Sequence, residues 1–397
     1  MTRREWDAIV IGLGAIGSAA AWWLSRSLGE RVLGIEQFAF GHANGASQDH
    51  SRIIRYSYHR PDYVRLARRA YESWGLVEAE AGERIVTVTG GLDLWPPNAA
   101  IPMDDYTDSL ATEGIPFELL EGSEVMRRWP QWRLAGGTVA LYQAQGGLAD
   151  PIRGNAAHRR LARERGATLL ERTPVEAIRD AGGGELEVVT PDAAYRTGRV
   201  VIAADAWTNE LLAALGRRLP LTVTKEQVTY FACPEPSAFA PDRFPIWIWM
   251  DEPTFYGFPT YGEAGPKVAQ DCGGRPTTPA TRTFERDEAA FARVESFMAR
   301  HLPGALGPPI YTRTCLYTLT PDRDFVVDRL PELPGVAVGL GAAHGFKYAS
   351  VLGRILAELV VDGGTPSAAD IGAFGIDRPI LREADPARSF VLGPEAG

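Results

Sequence analysis

A glycine-rich turn close to the start of the sequence constrains the fold more than any other feature. A short apolar run at 8–11 leads into Gly12, Gly14 and Gly17, which have the spacing GxGxxG, and an alanine-rich stretch follows them. A second apolar run then ends in the acid Glu36. Strand, glycine turn, helix, second strand and terminal acid, in this order, predict a βαβ unit of a parallel sheet.

The same residues predict a dinucleotide site. Gly12 permits the tight turn, Gly14 lets the backbone approach a pyrophosphate at the positive N-terminus of the helix, and Gly17 lets helix and strand pack closely. Glu36 lies 19 residues after Gly17, where an acid binds the adenosine ribose, and its charge disfavours the 2′-phosphate of NADP. The spacing leaves FAD and NAD as alternatives.

Composition narrows the class of protein. Of the 397 residues, 45% are hydrophobic and 23% are charged, which is typical of a soluble globular protein of two or three folding units. The formal net charge of −9 argues against a dedicated nucleic-acid binder and against a basic membrane-surface protein. We therefore expect no nucleic-acid partner and no membrane partner, whereas a small anionic ligand needs only local positive charge.

The cysteines favour a reducing compartment. Their number, three, is odd, and neither a CxxC pair nor a Cys/His cluster has the spacing of a zinc site, so we expect no disulfide framework and no metal.

The N-terminal segment allows an alternative interpretation as a targeting signal. The uncharged run at 8–25 follows Arg3 and Arg4, as in a twin-arginine signal or a short membrane span. Glu5, Asp7 and the glycines of the run argue against both, and we expect a cytoplasmic protein.

The remaining pattern predicts an α/β protein with two domains. Helical periodicity covers 62–82, 151–167 and 346–361. Strand-like segments are predicted at 85–147, 168–178, 185–190, 199–204, 218–319 and 335–340, and the tail after about 380 is expected to be extended. We expect a Rossmann-like nucleotide-binding domain formed by residues 1–85, 148–217 and 320–397. The second domain, a mixed and mainly antiparallel β domain that would bind the substrate, would consist of residues 86–147 and 218–319.

Lysine is scarce in this sequence. The 41 basic residues include only Lys225, Lys267 and Lys347 as lysines. Because a guanidinium does not replace a compact or titratable ammonium, we hypothesise that at least two of the three are functional. Lys347 lies in the first turn of a predicted amphipathic helix, where its positive charge interacts unfavourably with the helix dipole. An anion bound by both the ammonium and the N-terminus of the helix would explain a lysine at this position. Lys267 follows an aromatic strand, which would place it in a partly desolvated position.

Two further clusters keep their alternatives open. Arg313, Cys315 and Tyr317 would share one face of a strand, where a guanidinium favours the thiolate, although spacing alone favours a buried structural cysteine. Arg52 and Arg55 would face opposite ways in a strand and the same way in a helix. Two surface arginines are the simpler interpretation of that pair.

Taken together, these motifs resemble the monomeric sarcosine oxidase and N-methyltryptophan oxidase family, flavoenzymes of the D-amino-acid-oxidase group. The most specific segments are SRIIR at 51–55, TCLYTLTPDRDFVVD at 314–328 and HGFK at 344–347, and the resemblance extends over nearly the whole chain. It implies that the cofactor is FAD and that the nucleotide-binding domain is an FAD-binding domain.

The resemblance also implies roles for individual residues. The ADP part of FAD would be held by Gly12, Gly14, Gly17 and Glu36, with Val175 beside the adenine. The helix start with His344, Gly345 and Lys347 would favour negative charge on the reduced flavin, and Cys315 would carry the flavin through an 8α-S-cysteinyl link. Arg55 and Lys347 would clamp the substrate carboxylate. Lys267, with Ser51 and Arg52, would activate oxygen on the opposite flavin face, and Tyr256 and Tyr317 would line the substrate pocket.

The implied reaction is the oxidation of a secondary amino acid, N-methylated or cyclic, to an imine, with O2 reduced to hydrogen peroxide. The expected partners are a small amine substrate with a carboxylate and O2, and the expected state is a monomer. Two alternatives stay open. One is a flavin oxidase or dehydrogenase that desaturates a larger amine in specialised metabolism, and the other is a flavin-binding protein without turnover.

Three departures from the family pattern are visible. The family usually has glycine in the segment that corresponds to 203–207, where Asp205 would place a carboxylate near the nucleotide. Asp271 stands where several bacterial members have histidine, and the loop at 45–50 lacks the usual His-Gly element. The last two departures lie near the expected active site and argue against plain sarcosine as the substrate.

Overall fold

The computed structural model describes residues 4–393, so that Arg3 of the considered signal lies outside them. The α-helices are α1 (Ala15–Leu28), α2 (Pro61–Ala81), α3 (Asp104–Thr112), α4 (Gly122–Arg128), α5 (Pro151–Glu164), α6 (Thr208–Ala213), α7 (Glu288–His301), α8 (Ala349–Val361) and α9 (Ala368–Ile371). The first eleven strands are β1 (Ala8–Ile11), β2 (Val32–Ile35), β3 (Arg52–Ile54), β4 (Val86–Val88), β5 (Gly91–Trp95), β6 (Glu118–Glu121), β7 (Val139–Gln143), β8 (Gly147–Ala149), β9 (Thr168–Leu170), β10 (Ala177–Gly182) and β11 (Glu185–Thr190). The others are β12 (Ala193–Thr197), β13 (Val200–Ile202), β14 (Thr222–Phe231), β15 (Ile246–Trp249), β16 (Phe255–Phe258), β17 (Lys267–Gln270), β18 (Arg275–Pro276), β19 (Pro309–Leu319), β20 (Val326–Leu330) and β21 (Leu333–Leu340).

The glycine-rich turn follows strand β1 of a mainly parallel six-stranded sheet. Its strand order is β20-β21-β13-β1-β2-β9, and the edge pair β20–β21 is antiparallel. Ala8 and Val10 of β1 point into a core shared with α1, α2, α5 and α8, whereas Ile9 and Ile11 point to the opposite face. There the antiparallel sheet β10-β11-β12 and helix α6 cover the strands. Both faces of these strands are therefore buried, as is usual for parallel strands.

The predicted βαβ unit is confirmed by β1, α1 and β2. Gly12 has a φ of 87°, a left-handed conformation that glycine adopts without steric cost. A Cβ atom at Gly17 would lie only 1.8 Å from the carbonyl oxygen of Gly12. Helix α1 can therefore begin directly at the carboxyl end of β1 because both positions lack a side chain.

A nine-stranded sheet, mostly antiparallel, forms the second large element. Its order is β18-β14-β17-β16-β15-β5-β7-β6, with β19 paired to β14 and a parallel pair at β15 and β5. Side chains of successive residues in each strand point to opposite faces of this sheet. Trp247 and Trp249 of β15 pack with α7 in an apolar core, whereas Ile248 between them lines a cavity on the other face.

A fourth sheet, the antiparallel β3-β8-β4, combines strands from both predicted domains, since Arg52 and Val86 both pair with Ala149. The six-stranded sheet uses strands between 8 and 35, between 168 and 202 and between 326 and 340, and the nine-stranded sheet uses strands between 91 and 143 and between 222 and 319. This distribution supports the proposed two-domain division.

The strand-like predictions for 85–147 and 218–319 are wrong in part. Helices α3 and α4 interrupt the first segment, and α7 interrupts the second. Asp287 caps α7 by accepting a hydrogen bond from the backbone N–H of Ala290 at 3.0 Å. The aromatic and β-branched residues around these helices favour strands by composition and masked the helical signals. The tail after about 380 was expected to be extended, but a 3-10 turn occupies Pro379–Arg382, and the last four residues lie outside the described chain.

The uncharged run at 8–25 is divided between strand β1 and helix α1. Its lack of charge has a packing cause, because β1 is buried along its whole length and α1 over most of its surface. Between residues 4 and 393, no helix is both long enough and apolar enough to cross a membrane.

Candidate active site

Two cavities of about 500 Å³ each open beside the glycine-rich turn. The first, here called the nucleotide cavity, is lined by Gly12, Glu36 and Val175 among others. The second, here called the reaction cavity, lies against the face of the nine-stranded sheet that is opposite α7. Gly14 and Asp205 line both cavities, so the two cavities adjoin each other.

The reaction cavity brings together most of the candidate residues. Gly345, at the start of the 3-10 turn before α8, forms part of its wall. The other candidate residues that line it are Ser51, Arg52, Arg55, Tyr256, Lys267, Cys315, Tyr317, His344 and Lys347. Its wall therefore contains two arginines, two lysines, one histidine and one cysteine that the sequence analysis named, and these residues come from segments that are far apart in the chain.

Glu36 closes one end of the nucleotide cavity. Its Oε2 accepts a hydrogen bond from the backbone N–H of Leu13 at 2.9 Å, and its Oε1 accepts one from Phe38 at 3.0 Å. His42 Nε2 lies 3.4 Å from Oε1. Burial raises the pKa of Glu36, but these hydrogen bonds outweigh burial and hold the pKa below its usual value. The side chain is therefore an ionised acceptor at neutral pH.

The N-terminus of α1 points into the nucleotide cavity. Ser47 Oγ accepts a hydrogen bond from the backbone N–H of Ala15 at 3.0 Å, and a Cβ atom at Gly14 would lie 2.9 Å from the same oxygen. Arg159 lines this cavity too and donates to the carbonyl oxygen of Leu13 at 3.3 Å. A helix N-terminus, a turn without side chains and a guanidinium together suit an anionic group such as a pyrophosphate.

Lys267 forms a buried ion pair with Asp49. Its Nζ donates to Asp49 Oδ2 at 2.9 Å and to the carbonyl oxygen of Ser51 at 2.5 Å, and it lies 4.0 Å from the ring centroid of Phe258. Lys267 is 1% exposed and Asp49 is 2% exposed. Tyr230 donates a further hydrogen bond from its hydroxyl to Asp49 Oδ1 at 2.8 Å. The lysine head group is therefore held in one place.

Electrostatics keep this pair charged. Burial lowers the pKa of Lys267 to about 8, with Arg52 lowering it further and Asp49 opposing both. Burial also raises the pKa of Asp49, but Lys267 and Arg52 outweigh burial and hold that pKa well below its usual value. At neutral pH, Lys267 is an ammonium and Asp49 a carboxylate.

Arg52 and Arg55 face the same cavity although the chain between them is extended. Strand β3 ends at Ile54, so that Arg55 lies just beyond the paired segment. Arg52 donates to the backbone carbonyl oxygens of its own loop, those of Ala46 at 2.9 Å, Gln48 at 2.5 Å and Ser51 at 2.9 Å. The hydrogen bonds of its guanidinium thus fix the backbone conformation of the 45–50 loop.

Arg55 is neutralised by an acid that no sequence motif indicated. It donates from Nη1 to Asp93 Oδ1, and Ser57 Oγ donates to Asp93 Oδ2 at 2.5 Å. Asp93 lies on β5 between Leu92 and Leu94, which point into the core with α7, so that its own side chain faces the cavity. Burial raises the pKa of Asp93, and Arg55 opposes that rise.

Lys347, in contrast, has neutral partners. Its Nζ donates to the hydroxyl of Tyr58 at 2.8 Å and to the carbonyl oxygen of His344 at 3.0 Å. Burial lowers the pKa of Lys347, Tyr58 raises it and Arg55 lowers it again. His344 Nε2 lies 2.9 Å from the carbonyl oxygen of Arg323, which assigns the ring proton to Nε2. Lys347 therefore contributes an uncompensated positive charge to the reaction cavity.

Cys315 and Tyr317 point to the same side of β19 and line the cavity. The hydroxyls of Tyr317 and Tyr256 lie 3.4 Å apart. Arg313 shares this face but donates to Gln48 Oε1 at 3.0 Å. Burial raises the pKa of the Cys315 thiol to about 12 and outweighs the nearby guanidinium, so the thiol is protonated at neutral pH.

All three departures lie at the cavities, since Ala46 and Ser47 of the 45–50 loop line both of them. Asp271 pairs with Arg323 Nη1 at 3.0 Å, and both line the reaction cavity. Asp205 lines both cavities and has a φ of 47°, a left-handed conformation that favours glycine. Burial raises the pKa of Asp205 to about 6.

Comparison with known proteins places the chain among flavoproteins. The sequence model of the family "FAD dependent oxidoreductase" matches residues 7–359. The chain is 37% identical over 381 residues to a monomeric sarcosine oxidase of Streptomyces avermitilis, with 93% of this chain and 96% of that protein covered. It is 31% identical over 383 residues to an N-methyl-L-tryptophan oxidase of Yersinia pestis, with 94% and 99% covered. Among solved structures, NikD, titled an unusual amino acid oxidase essential for nikkomycin biosynthesis, has a TM-score of 0.82 at 26% identity, with 97% of this chain and 100% of that chain covered.

Proposed function

The chain belongs to the FAD-dependent oxidoreductase family, and from this premise we propose that it oxidises a secondary amino acid, N-methylated or cyclic, to an imine while O2 is reduced to hydrogen peroxide. The similar sarcosine and N-methyl-L-tryptophan oxidases support an N-methylated amino acid as the kind of substrate. The observation that carries the proposal is that one cavity, which adjoins the nucleotide cavity, is lined by Arg55, Lys347, Lys267 and Cys315.

The residues present fit FAD. The turn that approaches α1 lacks side chains at Gly12, Gly14 and Gly17, where a Cβ atom would collide with backbone or with a side chain. In the described part of the chain, four buried polar atoms of cavity-lining residues have no hydrogen-bond partner: Ser51 Oγ, Arg55 Nε and Arg323 Nε at the reaction cavity, and Asn155 Oδ1 at the nucleotide cavity. A bound cofactor or substrate would supply partners for such groups. FAD would provide the two-electron acceptor, and Gly12, Gly14, Gly17 and Glu36 would hold its ADP part.

Arg55 and Lys347 are the groups that would bind the substrate carboxylate. Asp93 fixes the direction of the Arg55 guanidinium and cancels most of its charge. Lys347 has no such counter-ion among its hydrogen-bond partners, and Tyr58 holds its head group in place. The lysine would therefore supply the net attraction and the arginine the orientation, which together place the carbon next to the amine for reaction.

Lys267 is the group that would assist O2. The reduction of O2 begins with the formation of an anion in a site from which water is largely excluded. A fixed ammonium stabilises such an anion without having to reorganise when the charge appears. The hydrogen bonds to Asp49 and Ser51 provide this fixed position.

We expect the purified protein to be yellow and to keep its flavin in the pellet after acid precipitation. The physical reason is the exposure of the Cys315 thiol to the reaction cavity, where a thioether to the flavin would survive unfolding. Flavin absorbance in pellet and supernatant is the measurement. Yellow in the supernatant would indicate FAD that is bound but unlinked, and would make Asp205 and the 45–50 loop the suspected causes of altered chemistry. A colourless protein that takes up no FAD would contradict the proposed function.

Lys347→Met should weaken the binding of a carboxylate ligand by about 10- to 100-fold, because a charge-assisted hydrogen bond contributes about 1.5–3 kcal/mol. A suitable probe is tetrahydrofuran-2-carboxylate, titrated through the change that it causes in the flavin absorbance spectrum. Its uncharged primary amide should bind the variant and the unmodified protein with similar affinity. Lys225→Met is the matched control, since Lys225 is only half-buried, lines neither cavity and donates to Thr283 and Glu285. Unchanged binding of the carboxylate would remove Lys347 from the clamp.

A further inference from the structure

Glu226 is a buried carboxylate beside Cys315 that the proposed reaction does not use. It lies on β14, directly opposite Cys315 in the antiparallel pairing of β14 with β19. Residues opposite each other in such a pair point to the same side, with Cβ atoms about 4.5–5.5 Å apart. Val228, two residues further along β14, lines the reaction cavity, as Cys315 does. Glu226 therefore lies on the cavity side of the sheet, next to the thiol.

Hydrogen bonds hold one oxygen of the Glu226 carboxylate. Its Oε1 accepts from Thr224 Oγ1 at 2.7 Å and from the backbone N–H of Gly274 at 3.0 Å. A Cβ atom at Gly274 would lie 2.5 Å from the carboxylate carbon, so the loop can approach only because residue 274 is glycine. Both of these bonds use Oε1, and neither uses Oε2.

The charges around Glu226 give it the properties of a base. Burial raises the pKa of Glu226 to about 7, and the hydrogen bonds from Thr224 and Gly274 oppose that rise. Across the cavity, Asp271 raises the pKa further and Arg323 lowers it. Near neutral pH the carboxylate thus exists in both protonation states, which is the range in which general bases are effective.

Cys315 needs such a base. Burial raises the pKa of its thiol to about 12, with Arg52 and Arg282 lowering it and the Glu226 and Asp49 carboxylates raising it. Only a very small fraction of the thiol is ionised at neutral pH, and the thiolate is the nucleophile in sulfur chemistry. The two guanidiniums alone do not overcome the effect of burial.

We infer that Glu226 accepts the proton of the Cys315 thiol when this cysteine forms its link to the flavin. The inference rests on the proposed function, which places FAD in the reaction cavity with an 8α-S-cysteinyl bond. In the overall step the S–H bond of the thiol and one C–H bond of the flavin 8-methyl group break, and a bond between Sγ and C8α forms. The two electrons released pass through the flavin to O2, which takes both protons and leaves as hydrogen peroxide.

Glu226→Gln tests this inference through the rate of attachment. Protein purified from riboflavin-starved cells is mixed with FAD in air, and the flavin retained in the acid-precipitated pellet is measured over time. At pH 7.5 we expect the variant to attach FAD about 100-fold more slowly, the contribution typical of a general base. The affinity for FAD before attachment, measured by quenching of flavin fluorescence, should stay the same.

The pH dependence separates a base from a merely structural residue. With Glu226 present, the rate should rise with pH and level off above about pH 7, where the carboxylate is ionised. In Glu226→Gln it should continue to rise by about tenfold per pH unit, because hydroxide then has to remove the thiol proton. Glu226→Asp, which keeps a carboxylate, should attach FAD at an intermediate rate with the plateau retained.

Two controls and four possible outcomes test the inference. Glu295→Gln, a charge loss at an exposed position of α7, should attach FAD at the unmodified rate, and Cys315→Ser should leave the pellet colourless. A Glu226→Gln variant with the unmodified rate, or one slowed by the same factor at every pH, would overturn the inference. Unmodified protein that binds FAD without ever linking it would overturn the inference and leave the oxidase proposal standing, whereas failure to bind FAD would overturn both.

Discussion

Lys267→Met is expected to slow the reaction of the reduced flavin with O2 by about 100- to 1,000-fold, the cost typical of removing one preorganised group that stabilises a developing anion. The reduction of the flavin by substrate should change far less, by about fivefold at most, since Arg55 and Lys347 rather than Lys267 would orient the substrate. Stopped-flow spectroscopy measures the two half-reactions separately, the first without O2 and the second after mixing with O2. Equal losses in both half-reactions would refute the role assigned to Lys267.

This substitution needs a companion variant because of the ion pair. Methionine at 267 leaves the Asp49 carboxylate buried beside Arg52 with its principal partner gone, and breaking a buried pair typically costs about 3–5 kcal/mol. The double variant Lys267→Met with Asp49→Asn removes both charges and should recover most of the lost stability. If the double variant is stable but still reacts slowly with O2, the kinetic effect belongs to the missing ammonium. Lys225→Met is the matched control and should leave both half-reactions unchanged.

Asp49→Asn should shift the pH range in which the reduced flavin reacts rapidly with O2. The pKa of Lys267 is already lowered to about 8 by burial, and the Asp49 carboxylate is the neighbour that raises it. Without that carboxylate the lysine pKa falls further, by about 1–2 pH units for the loss of a close opposite charge. The unmodified protein should therefore react rapidly below about pH 8 and lose rate as the pH rises through this value. In the variant the same loss should occur at lower pH.

The measurement is the second-order rate constant for O2 across pH 5 to 10. At low pH the variant should approach the rate of the unmodified protein, because Lys267 is protonated in both. Asparagine is the appropriate replacement, since residue 49 has a φ of 105° and asparagine tolerates positive φ nearly as well as aspartate does. A pH profile that coincides with that of the unmodified protein would show that Asp49 does not control the charge of Lys267.

The parts of the fold that the sequence predicted correctly are those with local signals. The glycines of the turn and the run that ends in Glu36 predicted β1, α1 and β2, because each requirement of that unit is met within 29 residues, from Ala8 to Glu36. Helices α3, α4 and α7 were missed, since they lie among aromatic and β-branched residues that favour strands. Here tertiary packing against the large sheet decided the local structure.

In the candidate site, the cationic side chains were visible from the sequence and their partners were not. Lys267 and Lys347 stood out because lysine is rare, and Arg55 because of its motif. Asp49 and Asp93 can be recognised as partners of these cations only when the positions of β17 and β5 beside the 45–55 segment are known. Asp49, for example, is 218 positions before Lys267 in the sequence. No spacing rule connects residues so far apart, and the family resemblance did not indicate them.

The order of strands in the six-stranded sheet has a consequence for synthesis on the ribosome. Strand β1 pairs on one side with β13, and β13 pairs with β21, whose last residue is Leu340. At about 5–20 residues per second, the roughly 190 residues between β1 and β13 require about 10–40 s of translation. During this time the nascent chain presents an unpaired apolar strand edge, a state that depends on chaperones to avoid aggregation. Cys315 and Lys347, which line the reaction cavity, leave the ribosome only after about four fifths of the chain has been synthesised. The cofactor site is therefore complete only when translation is nearly finished.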